Sequence, residues 1–288
     1  MYVFILAASD PTALQTFCDT QLNAPMGAPD RFRVLAPLVM LTITQTDAIT
    51  SEVPPFSDQG ALFEREATFW IPIRDTAGPL LQPLSFFTPY IFVDNPLALV
   101  AGRELYGFPK DPADVTMPAD PTQPGGFAVN GLTVQTFGPQ ATVTRATLVS
   151  VAAPASPQPG GIIADAAAAF AAIRTIFEGL GNLARDLHEA LALLSALEHH
   201  ALQTVLLKQV RDTTNGLLAC YQAVVQVPLE VTRFEGFRHL EPHVVTLAST
   251  ASDPLPASLG LSAMQTSLAA FWLRFDSRLP EGEVLWQA

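Results

Sequence analysis

The sequence predicts an α+β protein built on a large antiparallel sheet. Extended apolar runs recur from Tyr2 to Trp286, proline-rich turns join them, and helical periodicity is confined to a few stretches. At 288 residues the chain can bury a sizeable core, and no Gly/Ser-rich or strongly charged segment divides it into halves.

Taken in order, Tyr2 to Ala7 is a buried strand. Ser9-Asp10-Pro11 caps a helix whose face carries Leu14, Phe17, Cys18 and Leu22, and Pro25 to Asp30 is a turn region. Arg33 to Thr46 is a strand ending in the alternation Leu41-Thr42-Ile43-Thr44, and Ile49 to Gly60 is a loop. In the next strand, Ala61 to Ile73, a period of two puts Glu64, Glu66, Thr68 and Trp70 on one face and Arg65, Ala67 and Phe69 on the other. Pro83 to Val93 is a strand, Leu97 to Val100 a short apolar element, and Asp111 to Thr122, with three Asp and three Pro, a loop. Phe127 to Val134 and Ala141 to Val151 are paired strands, with Asn130-Gly131 as a turn signal.

The character changes at the Pro/Gly-rich stretch Ser156 to Gly161. Ile163, Phe170, Ile173, Phe177 and Leu180 then share a helical stripe, Gly181-Asn182 breaks it, and Leu183, Leu187, Leu191 and Leu194 resume it up to about His200. This is a helical hairpin. Strands return at Leu206 to Gln209 and Leu217 to Val227 around a turn at Asp212 to Gly216, and continue through Val231 to Arg238 and His243 to Leu247. Leu259 to Leu273, with Met264, Leu268, Phe271 and Trp272 near one face, is predicted to be a last helix, and Gly282 to Trp286 a short strand.

Composition narrows the partners. Only 15% of residues are charged and 49% are apolar, which predicts a homo-oligomer that hides surface in subunit contacts. A net charge of −12 argues against nucleic acid and against an anionic membrane, both of which require a basic face. The apolar opening Met1 to Ala8 is short and lacks a basic leader, and no uncharged apolar run is long enough to span a bilayer, so a soluble cytoplasmic protein is expected. Cys18 and Cys220 have no metal-like spacing and read as small buried residues; adjacent His199 and His200 would sit on different helix faces, and His239 and His243 flank a turn, so no metal site is expected.

Chemistry concentrates at Gly102-Arg103-Glu104-Leu105-Tyr106-Gly107-Phe108-Pro109-Lys110-Asp111. Of fifteen cationic residues thirteen are Arg, and only Lys110 and Lys208 are Lys. A lysine among arginines points to work that a guanidinium, never neutral near pH 7, cannot do. Apolar surroundings, here the run from Phe86 to Val100 and then Phe108-Pro109, disfavour the ammonium and release the neutral amine that attacks ketones as a Schiff-base nucleophile.

Gly-Arg-Glu followed three residues later by Phe-Pro-Lys resembles the active-site signature of the acetoacetate decarboxylase family, whose lysine forms an imine with a keto acid. Tyr2-Val3-Phe4-Ile5-Leu6, Gly60 to Ile73, Val93-Asp94-Asn95, Leu207-Lys208 and Leu279-Pro280 with Val284 fall in the family's order. The resemblance implies a single domain over 1–288 whose sheet curls into a cone or open barrel, with the helical segment at about 160–203 as an insertion. It implies Lys110 as nucleophile and Glu66, six residues before Pro72, as the acid/base partner, with no cofactor and no metal. Phe108, Arg103 and Glu64 are the candidate substrate-binding residues; Glu64 either meets the pocket or belongs to a solvated sheet face. Three departures weaken acetoacetate itself as substrate. Asp111 stands where the decarboxylases carry a second lysine, a second family carboxylate falls at Ile43 or Thr44, and the family's substrate-binding arginine belongs where this chain has only Met1. The expected partner is a small keto acid undergoing decarboxylation or aldol/dehydration-type chemistry; the alternative class is a non-catalytic small-molecule-binding protein that retains the pocket.

Overall fold

A computed structural model describes residues 1–78, 85–119, 125–154, 160–181 and 201–288. Its strands are β1 (Tyr2–Ala7), β2 (Phe32–Val34), β3 (Leu38–Ile49), β4 (Leu62–Asp75), β5 (Ser85–Val93), β6 (Lys110–Thr116) and β7 (Phe127–Thr133). They continue as β8 (Thr144–Ala152), β9 (Ala201–Arg211), β10 (Ala219–Leu240), β11 (Val244–Leu247), β12 (Met264–Thr266), β13 (Ala269–Arg278) and β14 (Glu283–Gln287). The helices are α1 (Pro11–Cys18), α2 (Ala24–Met26), α3 (Pro96–Tyr106), α4 (Ala166–Gly179) and α5 (Leu255–Ser258).

Among the described residues, the fourteen strands belong to one sheet. In the order β5, β9, β10, β13, β1, β3, β4 and back to β5 they close a ring, while β6, β7, β8, β11 and β12 branch from β5, so the ring is not a regular barrel. Pairing is antiparallel except at β5, which runs parallel to both β6 and β9. The β5–β6 pairing needs a crossover, and α3 supplies it. Asn95 caps α3 through the amides of Leu97 and Ala98, Pro96 starts it, and Gly107 at φ 80° ends it.

Apolar residues fill both faces of the ring. Phe4, Leu41, Ile43, Ala67, Phe69 and Phe92 pack on one face with Phe127 and Val129 of the branch. Val3, Ile5, Leu38, Phe86, Phe237 and Phe271 pack on the other, where α4 lays Ala169, Phe170, Ile173, Ile176 and Phe177 against them. The second arm of the expected helical hairpin, Leu183 to His200, lies outside the described residues.

Five local expectations are corrected. Leu259 to Leu273 is not a helix: it holds β12 and the start of β13, whose Ala269, Ala270 and Phe271 are all buried between β1 and β10. A strand buried on both faces shows no alternation, so its apolar run reads as readily as a helix. Leu97 to Val100 lies inside the eleven-residue α3. The stretch after Phe108-Pro109 is strand β6 as far as Thr116, and Asn130-Gly131 lies within β7, where a side chain at Gly131 would meet Leu148 Cδ1 at 2.5 Å. Cys18 is buried as expected, but Cys220 is exposed.

Lys208 explains itself through packing. Its ammonium donates to the carbonyl of Leu105 at 3.0 Å, satisfying an end carbonyl of α3, and its Cα sits where a Cβ on Gly107 would approach to 2.8 Å. Gly107→Ala combines that clash with a left-handed backbone, and a loss of about 2–4 kcal/mol in urea-unfolding stability is expected. An unchanged midpoint would show that α3 does not depend on its seat against β9.

Candidate active site

Register carries Lys110 to its partners. Val3, Thr42, Thr68, Ile91 and Lys110 form one row across β1, β3, β4, β5 and β6, so the lysine shares the face of β4 that carries Glu64, Glu66, Thr68 and Trp70. Lys110 Nζ donates to Glu64 Oε1 at 2.6 Å and lies 3.9 Å from Glu66 Oε2. The side chains of Lys110 and Glu64 are 9% and 5% exposed, and that of Glu66 is 22% exposed, so access from solvent is greatest at Glu66.

The backbone around this triad is gripped from several directions. Asp94 Oδ1 accepts from the amide of Arg65 at 2.7 Å, and Asn95 Nδ2 donates to the carbonyl of Phe63 at 2.6 Å, pinning β4 on either side of Glu64. The Val93-Asp94-Asn95 segment therefore starts α3 and fixes the carboxylate strand at once. Arg103 donates to the carbonyl of Lys110 at 2.8 Å, and Gly102 leaves room for the lysine stem: a Cβ there would lie 3.0 Å from both Lys110 Cδ and Cε.

Of the residues singled out in the sequence, Lys110, Glu66 and Glu64 come together. Phe108 packs instead with Tyr106 against Leu206, Ala223, Val225 and Val227, and the Arg103 guanidinium holds backbone and lies 3.6 Å from Asp111. Asp111 follows the strand alternation away from the lysine: it pairs with Phe92 on the opposite face of the sheet. The sequence pairs Lys110 with Glu66 and leaves Glu64 either at the pocket or on a solvated face, whereas the structure puts Glu64 nearest the amine; the grip of Asp94 and Asn95 on β4 leaves no local signal, because its two halves are about 30 residues apart.

Burial pushes the Glu66 carboxyl up to about 7; the Lys110 ammonium opposes this, the Glu64 charge adds to it and the Thr68 hydroxyl opposes it. The two carboxylates thus stand in different environments, one clasping the ammonium and the other poised to exchange a proton near neutrality. His243 is a core residue, edge-on to Phe4 with Nδ1 2.6 Å from the carbonyl of Glu241, and burial pushes its pKa down. His199 and His200 lie outside the described residues. Among the described residues no group of three or more His, Cys, Asp or Glu is placed to hold a metal ion, and no helix is long and apolar enough to cross a membrane.

Residues 28–154 match the acetoacetate decarboxylase family model. No curated protein matches the chain in sequence. Among solved structures, the acetoacetate decarboxylase of Legionella pneumophila is similar at 14% identity and a TM-score of 0.61, covering 99% of this chain and 84% of that one. The enduracididine biosynthesis enzyme MppR complexed with pyruvate is similar at 11% identity and a TM-score of 0.59, covering 99% and 87%. An acetoacetate decarboxylase-like enzyme from Sphingomonas wittichii shares 18% identity and a TM-score of 0.56, covering 99% and 89%. The match to that family model includes β4, α3 and Lys110, and over nearly its whole length the chain shares its fold with acetoacetate decarboxylase and acetoacetate decarboxylase-like enzymes.

Proposed function

We propose that the chain is a lyase-type enzyme, acting as a single acetoacetate decarboxylase-like unit, in which Lys110 forms an imine with a small keto acid. The observation that carries this reading is the buried lysine between two carboxylates, 2.6 Å from Glu64 and 3.9 Å from Glu66. Glu64 takes a proton from the ammonium, and the freed amine attacks the ketone carbon to form the C–N bond of a carbinolamine. Glu66, protonated below about pH 7, gives its proton to the carbinolamine hydroxyl, which leaves as water. The resulting iminium is an electron sink. A 3-keto acid loses CO2 into it to give an enamine; a 2-keto acid with hydrogens beside the ketone instead gives one of them as a proton to the Glu66 carboxylate left by the previous step, and the enamine adds to an aldehyde. That MppR was captured with pyruvate supports a short keto acid as the substrate.

The first expected outcome concerns attachment. Borohydride added in the presence of pyruvate or acetoacetate should trap a covalent adduct on the wild-type protein by intact mass, and Lys110→Arg should abolish it, because a guanidinium does not form the imine. No adduct on wild type, or an equal adduct on Lys110→Arg, would favour a binding protein without turnover.

The second concerns proton transfer. Glu66→Gln keeps the side chain's shape and removes the titrating proton, so turnover should fall by roughly a hundredfold or more while trapping persists. For an acid whose pKa is raised to about 7, the active protonated form is lost as pH rises, so wild-type turnover should decline through about pH 7 and Glu66→Gln should lack that limb. Full turnover in Glu66→Gln would remove this carboxyl from the mechanism.

A further inference from the structure

We infer that Asn95 is a positioning residue that holds the two halves of the Lys110–Glu64 pair together through one side-chain amide, an inference that rests on the imine reading. The β4–β5 ladder ends at Glu66 and Val93, so on that side Glu64 lies beyond the last paired residue of its strand. What replaces the ladder there is the segment that leads into α3. Asp94 exchanges two bonds with Arg65, its amide donating to the Arg65 carbonyl at 3.0 Å and its Oδ1 accepting from the Arg65 amide at 2.7 Å. On the far side of Glu64, Asn95 Nδ2 donates to the carbonyl of Phe63 at 2.6 Å.

The other end of the same amide works on the lysine's side. Asn95 Oδ1 accepts from the amides of Leu97 at 2.9 Å and Ala98 at 3.3 Å and so caps the start of α3. Two helical turns on, about 10.5 Å along the axis, Gly102 gives the Lys110 stem its room, and Arg103 next to it holds the Lys110 carbonyl. A change in where α3 starts is carried along the helix to Lys110, and a change at Phe63 moves the residue beside Glu64. Capping alone does not call for an amide, since Ser and Thr cap as well. The pair of tasks does call for one, because its oxygen accepts while its nitrogen donates.

Asn95→Ser and Asn95→Thr are uncharged and keep a cap but carry no nitrogen to reach Phe63, whereas Asn95→Ala loses both bonds. Among the described residues, the charged groups that face the ammonium are Glu64 and Glu66 of β4; α3 offers it Gly102, β5 offers it Ile91, and Arg103 meets its backbone carbonyl. Glu64 favours the charged ammonium and the imine needs the neutral amine, so a Glu64 released from its place lets trapping begin at lower pH. Borohydride trapping of pyruvate, read by intact mass across a pH series, should show the acid-side limb lowered by about half a pH unit or more in Asn95→Ser and Asn95→Thr, with urea-unfolding midpoints above that of Asn95→Ala. Either of the two serves if the other does not fold. A limb that keeps its wild-type position in the folded variants, or that moves in Asn95→Ala alone, overturns the inference and leaves the imine reading standing, because the residue then acts only through the cap. No adduct on the wild type removes the imine reading and this inference with it.

Discussion

The buried ion pair between Lys110 and Glu64 is the interaction around which the rest of the site is arranged. An ammonium taken out of water is strongly disfavoured unless a counter-charge and hydrogen bonds replace its hydration, and Glu64 at 2.6 Å does this with its side chain only 5% exposed. Removing one partner leaves an uncompensated charge, typically a loss of about 3–5 kcal/mol. A pair with that much at stake has to be held in register, and the scaffold does so from both sides. Asp94 and Asn95 clamp β4 at Arg65 and Phe63, while Arg103 holds the Lys110 carbonyl and Gly102 makes room for its stem.

From that constraint the difference between the two carboxylates follows. They are two residues apart on one strand and face one lysine, yet Glu64 is clasped to the ammonium whereas Glu66 stands farther off, where burial outweighs attraction and lifts its carboxyl to about 7. A nucleophile needs its proton removed and a leaving hydroxyl needs a proton supplied. In the proposed steps, two acids with separated environments are assigned one need each. Asp111 follows the lysine in sequence, but strand alternation turns its side chain toward Arg103, so its charge lies on the opposite face from the amine.

Much of this was legible in the residues. The proline-punctuated strands pointed to the sheet, the isolation of Lys110 among arginines singled that residue out, and the period of two along β4 put Glu64 and Glu66 on one face, which the structure turns toward the lysine. What could not be read were features set by distant partners. Ala269 to Phe271 reads as helix because β1 and β10 bury both its faces, and Phe108 leaves the site for a cluster on β9 and β10 that no local pattern announces. The bond that Trp70 Nε1 donates to Thr42 depends likewise on a hydroxyl 28 residues away. Periodicity reports which side of a strand a residue takes; it does not report how far along that side its atoms reach.

The chain's two lysines make the central claim directly measurable. After reduction of a keto-acid adduct with borohydride, peptide mapping by mass spectrometry can distinguish Lys110, buried beside Glu64 and Glu66, from Lys208, which donates to the end of α3. The account predicts modification at Lys110 with Lys208 unmodified. Modification at Lys208, or equally at both, would contradict it, because the adduct would then report general amine reactivity and not a site built around one lysine.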